Sequence, residues 1–258
     1  MDTSKLFSLE GRVALVTGGS RGIGKMIVKG LLGQGARRVY ITSRKAEQCD
    51  AAAAELSALG DCVSIPGDVS RMDGIRALAA EIAKREPALD ILVNNAGAAW
   101  AAPFDEFPES GWDKTVNLNM KTPFFLTQAL APQLRAAAKS RPAKVINVSS
   151  IDGISVNMWH TYAYSASKAG ILHLTKRMAM ELIRDNVVVS GIAPGPFGSE
   201  MNVDARDNAE QVAKRVPAGR VGTEEDMAAA AIYLASRAGD FVVGETVVVD
   251  GGVTLARG

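Results

Sequence analysis

The sequence has few of the residues that build metal centres and disulfide-stapled domains. It contains two cysteines and two histidines in 258 residues, and aromatic side chains make up only 5% of it. Cys49 and Cys62 do not have the spacing of metal ligands, and His160 has no second histidine or cysteine beside it to complete a site. Two unpaired thiols are typical of a reducing compartment, so we expect a cytoplasmic protein without a catalytic metal.

Long apolar runs and an excess of one charge are also absent. No apolar stretch approaches the roughly 18 residues of a membrane helix, and residues 1–7 lack the basic start and apolar centre of a secretory signal. Lysine plus arginine (29) nearly balance aspartate plus glutamate (28). This balance gives no broad field for nucleic acid or an anionic membrane, so we expect no nucleic-acid partner and no membrane span.

What the chain does have is a regular alternation of short apolar segments and amphipathic segments. Strands are predicted near 12–17, 37–43, 61–66, 89–94, 143–149, 187–193 and 245–250, and helices near 23–34, 46–59, 71–86, 109–137, 161–185, 204–215 and 224–236. Such alternation predicts an α/β fold with a doubly wound parallel sheet of about seven strands and helices on both faces. No linker divides the chain, so residues 1–258 are predicted to form a single domain.

A glycine-rich turn follows the first predicted strand. It comprises Gly18, Gly19, Ser20, Arg21, Gly22, Ile23 and Gly24, and an apolar-periodic helix begins within it. A strand, a glycine turn and a helix start together place backbone N–H groups and the positive helix end around an anion, usually a dinucleotide pyrophosphate. The spacing is Gly-x-x-x-Gly-x-Gly, and a tight turn without a ligand is the alternative interpretation.

Tyr164 and Lys168 form the most informative pair in the chain. They stand four residues apart in an alanine-rich segment, which places both on one face of a helix, about 5–6 Å apart. A nearby ammonium favours the phenolate and would lower the tyrosine pKa toward the working range of a general acid–base. Such pairs are also ordinary neighbours on helix surfaces, so the pair needs support from other motifs.

That support comes from motifs in a fixed order. They are Thr17-Gly18…Gly22-Ile23-Gly24, Asn94-Asn95-Ala96-Gly97, Asn147-Val148-Ser149-Ser150, Tyr164…Lys168, Pro194-Gly195 and the ending Gly244…Asp250-Gly251-Gly252. In order and spacing they resemble the short-chain dehydrogenase/reductase family over the chain from about Leu9 onward. The resemblance implies a Rossmann-type fold and hydride transfer between a nicotinamide cofactor and a carbonyl or alcohol.

The resemblance also implies catalytic roles. Tyr164 would donate the proton to the carbonyl oxygen, Lys168 would lower the tyrosine pKa and bind the nicotinamide ribose, and Ser150 would hold the substrate oxygen. Ser149 is the rival to Ser150, and the loop before the tyrosine is one residue longer than the family pattern. Asn119 is expected to hold a water on the proton path, with Asn117 as the alternative.

For the cofactor we expect NADP(H). The second predicted strand ends in Ser43-Arg44-Lys45 without the acidic residue typical of NAD sites, and a guanidinium suits a 2′-phosphate. Arg21 could close on the same phosphate from the glycine turn, although Arg44 and Lys45 could also simply begin a solvated helix. By resemblance, the remaining cofactor contacts would be Asp68, Val69, Asn95, Ala96, Gly97, Pro194 and Gly195, beside Tyr164 and Lys168.

Two segments are predicted to cover the substrate, near 152–161 and 196–216. Their apolar members include Met158, Trp159, Phe197 and Met201, which suit an acyl chain but could equally pack between subunits or beneath a lid. Within the family the sequence resembles 3-oxoacyl thioester reductases, of the kind associated with fatty-acid or rhamnolipid synthesis. Two alternatives remain: a keto-sugar or polyol oxidoreductase such as a gluconate 5-dehydrogenase, and a non-enzymatic NADP-sensing protein on the same fold.

Partner expectations follow from the same resemblance. An acidic acyl carrier protein could deliver the substrate, for which a basic surface is available in Lys121, Arg135, Lys139, Arg141, Arg206, Lys214 and Arg215. Family members often associate through their two long helices, so we expect a homo-oligomer here, with a tetramer favoured.

Overall fold

The computed structural model describes residue 3 and residues 5–256. Its strands are β1 (Val13–Thr17), β2 (Arg38–Thr42), β3 (Cys62–Ser64), β4 (Ile91–Asn94), β5 (Ala143–Val148), β6 (Val187–Pro194) and β7 (Thr246–Val249). Its α-helices are α1 (Gly22–Gly33), α2 (Ala46–Leu56), α3 (Met72–Arg85), α4 (Glu109–Val116), α5 (Thr122–Ala138), α6 (Tyr162–Leu182), α7 (Val203–Asp207), α8 (Ala209–Ala213) and α9 (Glu224–Ala235).

The strands form one seven-stranded sheet in the order β3-β2-β1-β4-β5-β6-β7. All neighbouring strands pair in parallel. The predicted doubly wound α/β fold is therefore confirmed. β1 pairs with β2 on one side and with β4 on the other. The direction in which successive strands are added to the sheet therefore reverses at β1, and ligands bind such sheets in the crevice at that point.

Helices cover both faces of the sheet and bury two apolar clusters. One cluster includes Ile27 and Leu31 of α1 and Met227 and Leu234 of α9. The other lies on the opposite face, under α3, α5 and α6. Strands buried on both faces read as nearly continuous apolar runs, which is why β1 was visible in the sequence.

Three predicted helices differ in detail. The segment predicted as one helix over 109–137 consists of α4, a five-residue π-helical turn over Asn117–Lys121, and α5. The segment predicted over 204–215 is two short helices, α7 and α8. The helix predicted over 161–185 ends in a 3₁₀ turn, because Asn186 adopts a left-handed conformation with φ 57°.

The amino ends of the strands carry a network of paired charges. Asp90 accepts a hydrogen bond from the Val13 N–H at 2.9 Å and from Arg141 at 3.1 Å, and the buried Arg12 lies 3.7 Å away. The Lys144 ammonium, with only 1% of its side chain exposed, pairs with Asp240 at 2.6 Å. Burial lowers the pKa of both Arg12 and Lys144. These charges stabilise one another at the edge opposite the predicted site.

Among the described residues, no helix combines the length and the apolarity needed to cross a lipid bilayer.

Candidate active site

The backbone of the glycine turn after β1 can be approached closely by a ligand. Gly18 and Gly22 have positive φ values of 66° and 51°, which L side chains rarely adopt. A Cβ on Gly24 would overlap the carbonyl oxygen of Gly18 and the side chain of Asn95. The turn therefore needs glycine at these positions, and it leaves the start of α1 accessible to an anion.

Asn95 and Thr17 fix this turn to the end of β4. The Asn95 amide donates to the Thr17 carbonyl at 2.9 Å, while the backbone N–H groups of Asn95 and Ala96 each donate to the Thr17 hydroxyl at 3.0 Å. The predicted cofactor residues of the two strand ends are thus brought together by direct hydrogen bonds.

The end of β2 offers unpartnered polar groups. The Thr42 and Ser43 hydroxyls are buried and have no hydrogen-bond partner among the described residues. Buried hydroxyls are normally satisfied, so a pair without partners at this edge suits a polar ligand. Arg44 is exposed directly after them. Arg21, the second cation predicted for the phosphate, instead pairs with Glu200 at 2.7 Å.

The turn after β3 holds Asp68 and Val69 in place. One Asp68 oxygen accepts hydrogen bonds from the Ser70 N–H at 3.0 Å and the Ser70 hydroxyl at 2.7 Å. The Val69 carbonyl accepts from Thr122 at 2.7 Å, which ties the turn to the start of α5. At the far side of the sheet, Pro194 ends β6, and the Gly195 N–H donates to Val249 of β7 at 2.9 Å.

Tyr164 and Lys168 lie in the first two turns of α6, as predicted, and Ser150 lies against them at the end of β5. The Lys168 ammonium donates to the Val148 carbonyl at 2.8 Å and sits 5.5 Å from the centre of the Tyr164 ring. Ser150 is near enough to Tyr164 to lower the pKa of its hydroxyl. The three groups form one cluster at the carboxyl end of the central strands.

The pKa of Tyr164 departs from the expected direction. Burial, the largest effect, raises the pKa of Tyr164 to about 12, with Ser150 opposing and the charge of Asp152 adding to the rise. Burial also lowers the pKa of Lys168 to about 8. Burial, Ser150 and Asp152 thus set the pKa of Tyr164 here, and its lowering by Lys168 together with a cationic nicotinamide stays a prediction.

Ser149 and Ser150 have different environments. The Ser149 hydroxyl donates to the Lys168 carbonyl at 2.7 Å, so it is committed to holding α6. The Ser150 oxygen accepts from the Asp152 N–H at 3.1 Å, which leaves its own proton for another acceptor. Gly153 lets this turn lie against α6, since a Cβ there would overlap the backbone of Lys168.

Asn119 lies in the π-helical turn and is 98% buried. Its amide donates to the Ala98 carbonyl at 2.9 Å and the Ser167 hydroxyl at 3.0 Å, and its oxygen accepts from the Ala98 N–H at 2.8 Å. A Cβ on Gly97 would lie 3.3 Å from that oxygen and 3.8 Å from the Lys168 ammonium. The side chain thus clamps the loop after β4 beside Lys168, whereas Asn117 contributes only its carbonyl, to Thr122 at 3.1 Å.

A cleft of about 560 Å³ opens between the loop after β4 and the loop before α6. Its walls are Ala101, Ala102, Pro103, Met158, Trp159, His160 and Arg215. The two loops are joined by a hydrogen bond from the Ala102 N–H to the His160 carbonyl at 3.2 Å. Phe104 and Phe107 pack edge-on against Tyr162, at the first residue of α6, with ring centres 5.8 and 5.6 Å away. The cleft therefore stands next to the catalytic helix and is mostly apolar.

Comparison with known proteins agrees with this arrangement. The sequence pattern of the family described as short chain dehydrogenase matches residues 12–210. The chain belongs to the short-chain dehydrogenase family. It is accordingly an oxidoreductase.

Relatives within this family include proteins with two different names. The chain is 46% identical over 253 residues to the rhamnolipids biosynthesis 3-oxoacyl-[acyl-carrier-protein] reductase of Pseudomonas aeruginosa, covering 96% of this chain and 98% of that protein. It resembles the Pseudomonas aeruginosa RhlG/NADP active-site complex with a TM-score of 0.93 and 45% identity, over 98% of this chain and 100% of the other. It also resembles a gluconate 5-dehydrogenase from Burkholderia cenocepacia in complex with NADP and tartrate, with a TM-score of 0.89 and 35% identity, over 98% and 99% of the two chains.

The predicted pocket residues of this short-chain dehydrogenase separate into two groups. Met158 and Trp159 line the cleft and are 95% and 66% exposed. Met201 is 54% exposed in the segment before α7. Phe197 is only 2% exposed and packs in the core against Gly222, where its ring occupies the space of a missing side chain. Phe197 is therefore a core residue rather than an open surface for substrate.

Sequence reasoning did not identify the polar network beneath the site. The Asn94 amide donates to the Asn147 oxygen at 2.9 Å and to Thr127 at 3.2 Å, and the Asn147 amide donates to Thr175 at 2.9 Å. Asn94 and Asn147 are paired in the β4–β5 register. The sequence feature that could have indicated this network is an asparagine near the end of each of the two strands, Asn94 in β4 and Asn147 in β5. Their partners could be known only once the strands were aligned.

Proposed function

We propose that the chain is an NADPH-dependent reductase that converts a β-ketoacyl thioester to the β-hydroxyacyl thioester. The observation that carries this proposal is the apolar cleft beside Tyr162 and the start of α6. Five of its seven wall residues, Ala101, Ala102, Pro103, Met158 and Trp159, offer mainly apolar surface, with the indole N–H of Trp159 as their one polar side-chain group. The similarity to a 3-oxoacyl reductase over nearly the whole chain supports the same substrate class.

The residues present fit NADP(H). The glycine turn is a cradle that a Cβ at Gly24 would fill, and the unpartnered Thr42 and Ser43 hydroxyls lie where the adenosine phosphate would bind. Arg44 would hold that phosphate, and Arg21 would join it on leaving Glu200. Asp68, Val69, Asn95, Ala96, Gly97, Pro194 and Gly195 would complete the site. When bound, the cofactor would supply a hydride to the carbonyl carbon.

The chain's own residues would manage the proton. Tyr164, whose pKa of about 12 keeps it protonated at neutral pH, would give its hydroxyl proton to the substrate oxygen as the alcohol forms. Ser150 would donate a hydrogen bond to the same oxygen. Lys168 would remain largely protonated below its pKa of about 8 and stabilise the resulting phenolate. Asn119 would hold the loop that borders Lys168, and a water there would return the proton to Tyr164.

A keto-sugar oxidoreductase is the second candidate. It is favoured by the similarity to a gluconate 5-dehydrogenase and by the one cation in the cleft wall, Arg215, which could bind a sugar carboxylate. The cleft otherwise offers a single polar side chain, His160, for several hydroxyls.

Loss of NADPH absorbance separates the two candidates. Purified protein would be offered a short β-ketoacyl thioester or 5-keto-gluconate, with NADH as the cofactor control. We expect turnover of the thioester with NADPH and little with NADH. Turnover of the keto-sugar alone would overturn the thioester proposal.

The remaining expectations concern the surroundings of the enzyme. We propose a cytoplasmic homotetramer that can accept substrate from acyl carrier protein. The two free thiols, both buried, suit a reducing compartment, and Trp112, Phe124 and Met180 are exposed apolar residues on the long helices. Of the cations predicted for carrier docking, Arg141 lies in the charge network at the opposite edge, while Lys121, Lys139, Lys214 and Arg215 remain available. Light scattering at micromolar concentration should show four chains, and a monomer would exclude the tetramer.

A further inference from the structure

The cleft beside α6 carries one charged side chain. Arg215 lines it together with Met158 and Trp159, and no acidic residue is among the seven that line the cleft. An acyl chain is neutral and gives a guanidinium nothing to bind. The arginine therefore needs a separate explanation from the apolar walls.

The surrounding arginines show that pairing is available in this region. Arg206 makes two hydrogen bonds to Asp207, at 2.7 and 2.9 Å, and Arg220 is held by both oxygens of Asp226. Arg21 pairs with Glu200. Within residues 3 and 5–256, the Arg215 guanidinium has neither an ion pair nor a hydrogen bond, and its side chain is exposed at the cleft. The N–H donors of the Arg215 guanidinium are therefore available to an external anion.

The cleft is held ready for a ligand. The hydrogen bond between Ala102 and His160 and the packing of Phe104 and Phe107 on Tyr162 fix the two loops that form its walls. Its volume of about 560 Å³ falls within the usual range of small-molecule sites. Arg215 is thus the one lining residue that could bind an anionic group of a ligand in the cleft.

We propose that Arg215 binds an anionic group that the substrate carries at a distance from its reacting carbonyl, and that this group is the phosphate of a pantetheine arm. The inference rests on the proposed thioester reduction. A planar guanidinium matches phosphate oxygens with two parallel hydrogen bonds, and a mostly apolar cleft with one cation among its lining residues suits an apolar acyl thioester on a phosphorylated arm. Arg215 is thus a specificity-determining residue, not one that touches the reacting atoms.

The test compares thioesters that differ in the phosphate. The same short β-ketoacyl group would be offered on phosphopantetheine and on pantetheine, to the wild type and to Arg215→Gln. We expect Arg215→Gln to raise KM about ten-fold for the phosphopantetheine thioester, the usual scale for one charged hydrogen bond, with kcat unchanged. KM for the pantetheine thioester should stay within about twofold of the wild type. Arg215→Lys should recover part of the loss.

Arg237→Gln is the matched control. It removes the same charge from an exposed arginine that does not line the cleft, so it should change neither KM. An equal effect of Arg215→Gln on both thioesters, or no effect on either, would overturn the role of Arg215. In both cases the reaction itself would still stand.

Failure of the proposed function gives a different pattern. If the wild type reduced 5-keto-gluconate and neither thioester, the reaction class would be wrong. Arg215→Gln would then be measured with that keto acid and with a neutral keto-sugar, and a selective KM increase for the keto acid would identify a carboxylate as the anion instead. Titration of phosphopantetheine and pantetheine, followed by the fluorescence of the three tryptophans, gives the same comparison without turnover. Equal affinities there would exclude phosphate binding.

Discussion

The two edges of the sheet treat buried polar groups in opposite ways. At the amino edge, the buried charges face opposite charges: Asp90 lies 3.7 Å from Arg12 and 3.1 Å from Arg141, and Lys144 forms an ion pair with Asp240 at 2.6 Å without hydrogen-bond geometry. At the carboxyl edge, the buried hydroxyls of Thr42, Ser43 and Thr161 have neither an opposite charge nor a hydrogen-bond partner among the described residues. Buried charges need an opposite charge for the fold to be stable, whereas open hydrogen-bonding capacity is retained where a ligand completes it. The comparison assigns stability to one edge and chemistry to the other.

The largest expected effect is on catalysis, from Tyr164→Phe at the carboxyl edge. Removing the proton donor should lower kcat by about 100- to 10,000-fold, the usual contribution of general acid catalysis. NADPH affinity and the urea midpoint should remain close to those of the wild type, because one hydroxyl is lost and the ring is kept. A variant that kept its turnover would remove Tyr164 from the mechanism, and one that lost NADPH binding as well would show a structural role.

The next largest effect is expected on stability, from Asp90→Asn at the amino edge. It leaves Arg12, which is 4% exposed, without its anion, and breaking a buried pair costs about 3 kcal/mol or more. Urea unfolding should show a lower midpoint with an unchanged m-value, while kcat and KM of the folded enzyme stay the same. A selective fall in kcat/KM at unchanged stability would contradict the separation of the two edges.

A smaller effect is expected from Arg44→Ala, again at the carboxyl edge. Loss of a charged hydrogen bond to the 2′-phosphate should reduce the preference for NADPH over NADH by about 10- to 100-fold. Stability should not change, because the side chain is exposed. Arg184→Ala, a cation just before the start of β6, is the control and should leave the ratio unaltered. An unaltered ratio in Arg44→Ala would mean that Arg44 does not select the cofactor.

The smallest effect concerns the pH profile and Asp152. Its charge raises the pKa of both Tyr164 and Lys168. Reduction needs both groups protonated, so kcat/KM should fall as the pH rises through about 8, where Lys168 loses its proton. Asp152→Asn should move that fall to lower pH, and the rise of the reverse oxidation, which needs the phenolate, should also begin at lower pH. Asp105→Asn, in the neighbouring loop, should leave the profile in place, and a shift to higher pH in Asp152→Asn would contradict the assignment.

The strand pattern predicted the seven strands, because short segments rich in apolar residues alternate with amphipathic helices. It could not predict the π-helical turn at 117–121, since one extra residue in a turn barely alters helical periodicity. For the same reason, the sequence could not predict that the Asn119 side chain holds the loop after β4 beside Lys168.

Burial was the other quantity that the sequence did not supply. Phe197 reads as an apolar residue near the catalytic edge, and only the contact with Gly222 places it in the core. The charge of Lys168 was visible four residues after Tyr164, but the loss of water around both groups was not, and that loss decides the direction of their pKa shifts. Spacing predicts which groups meet, and solvation depends on everything packed around them.

Lys168 is held at both ends by consecutive residues of one strand end: Val148 accepts its ammonium, and Ser149 binds its carbonyl. The catalytic helix is thereby fixed to β5 by bonds that do not involve the cleft-lining residues 158–160 and Arg215. Substitutions at those residues can alter the shape and charge of the cleft without removing these bonds. Selection for a new substrate can therefore act on those residues alone, and relatives with different substrates can keep the same reaction.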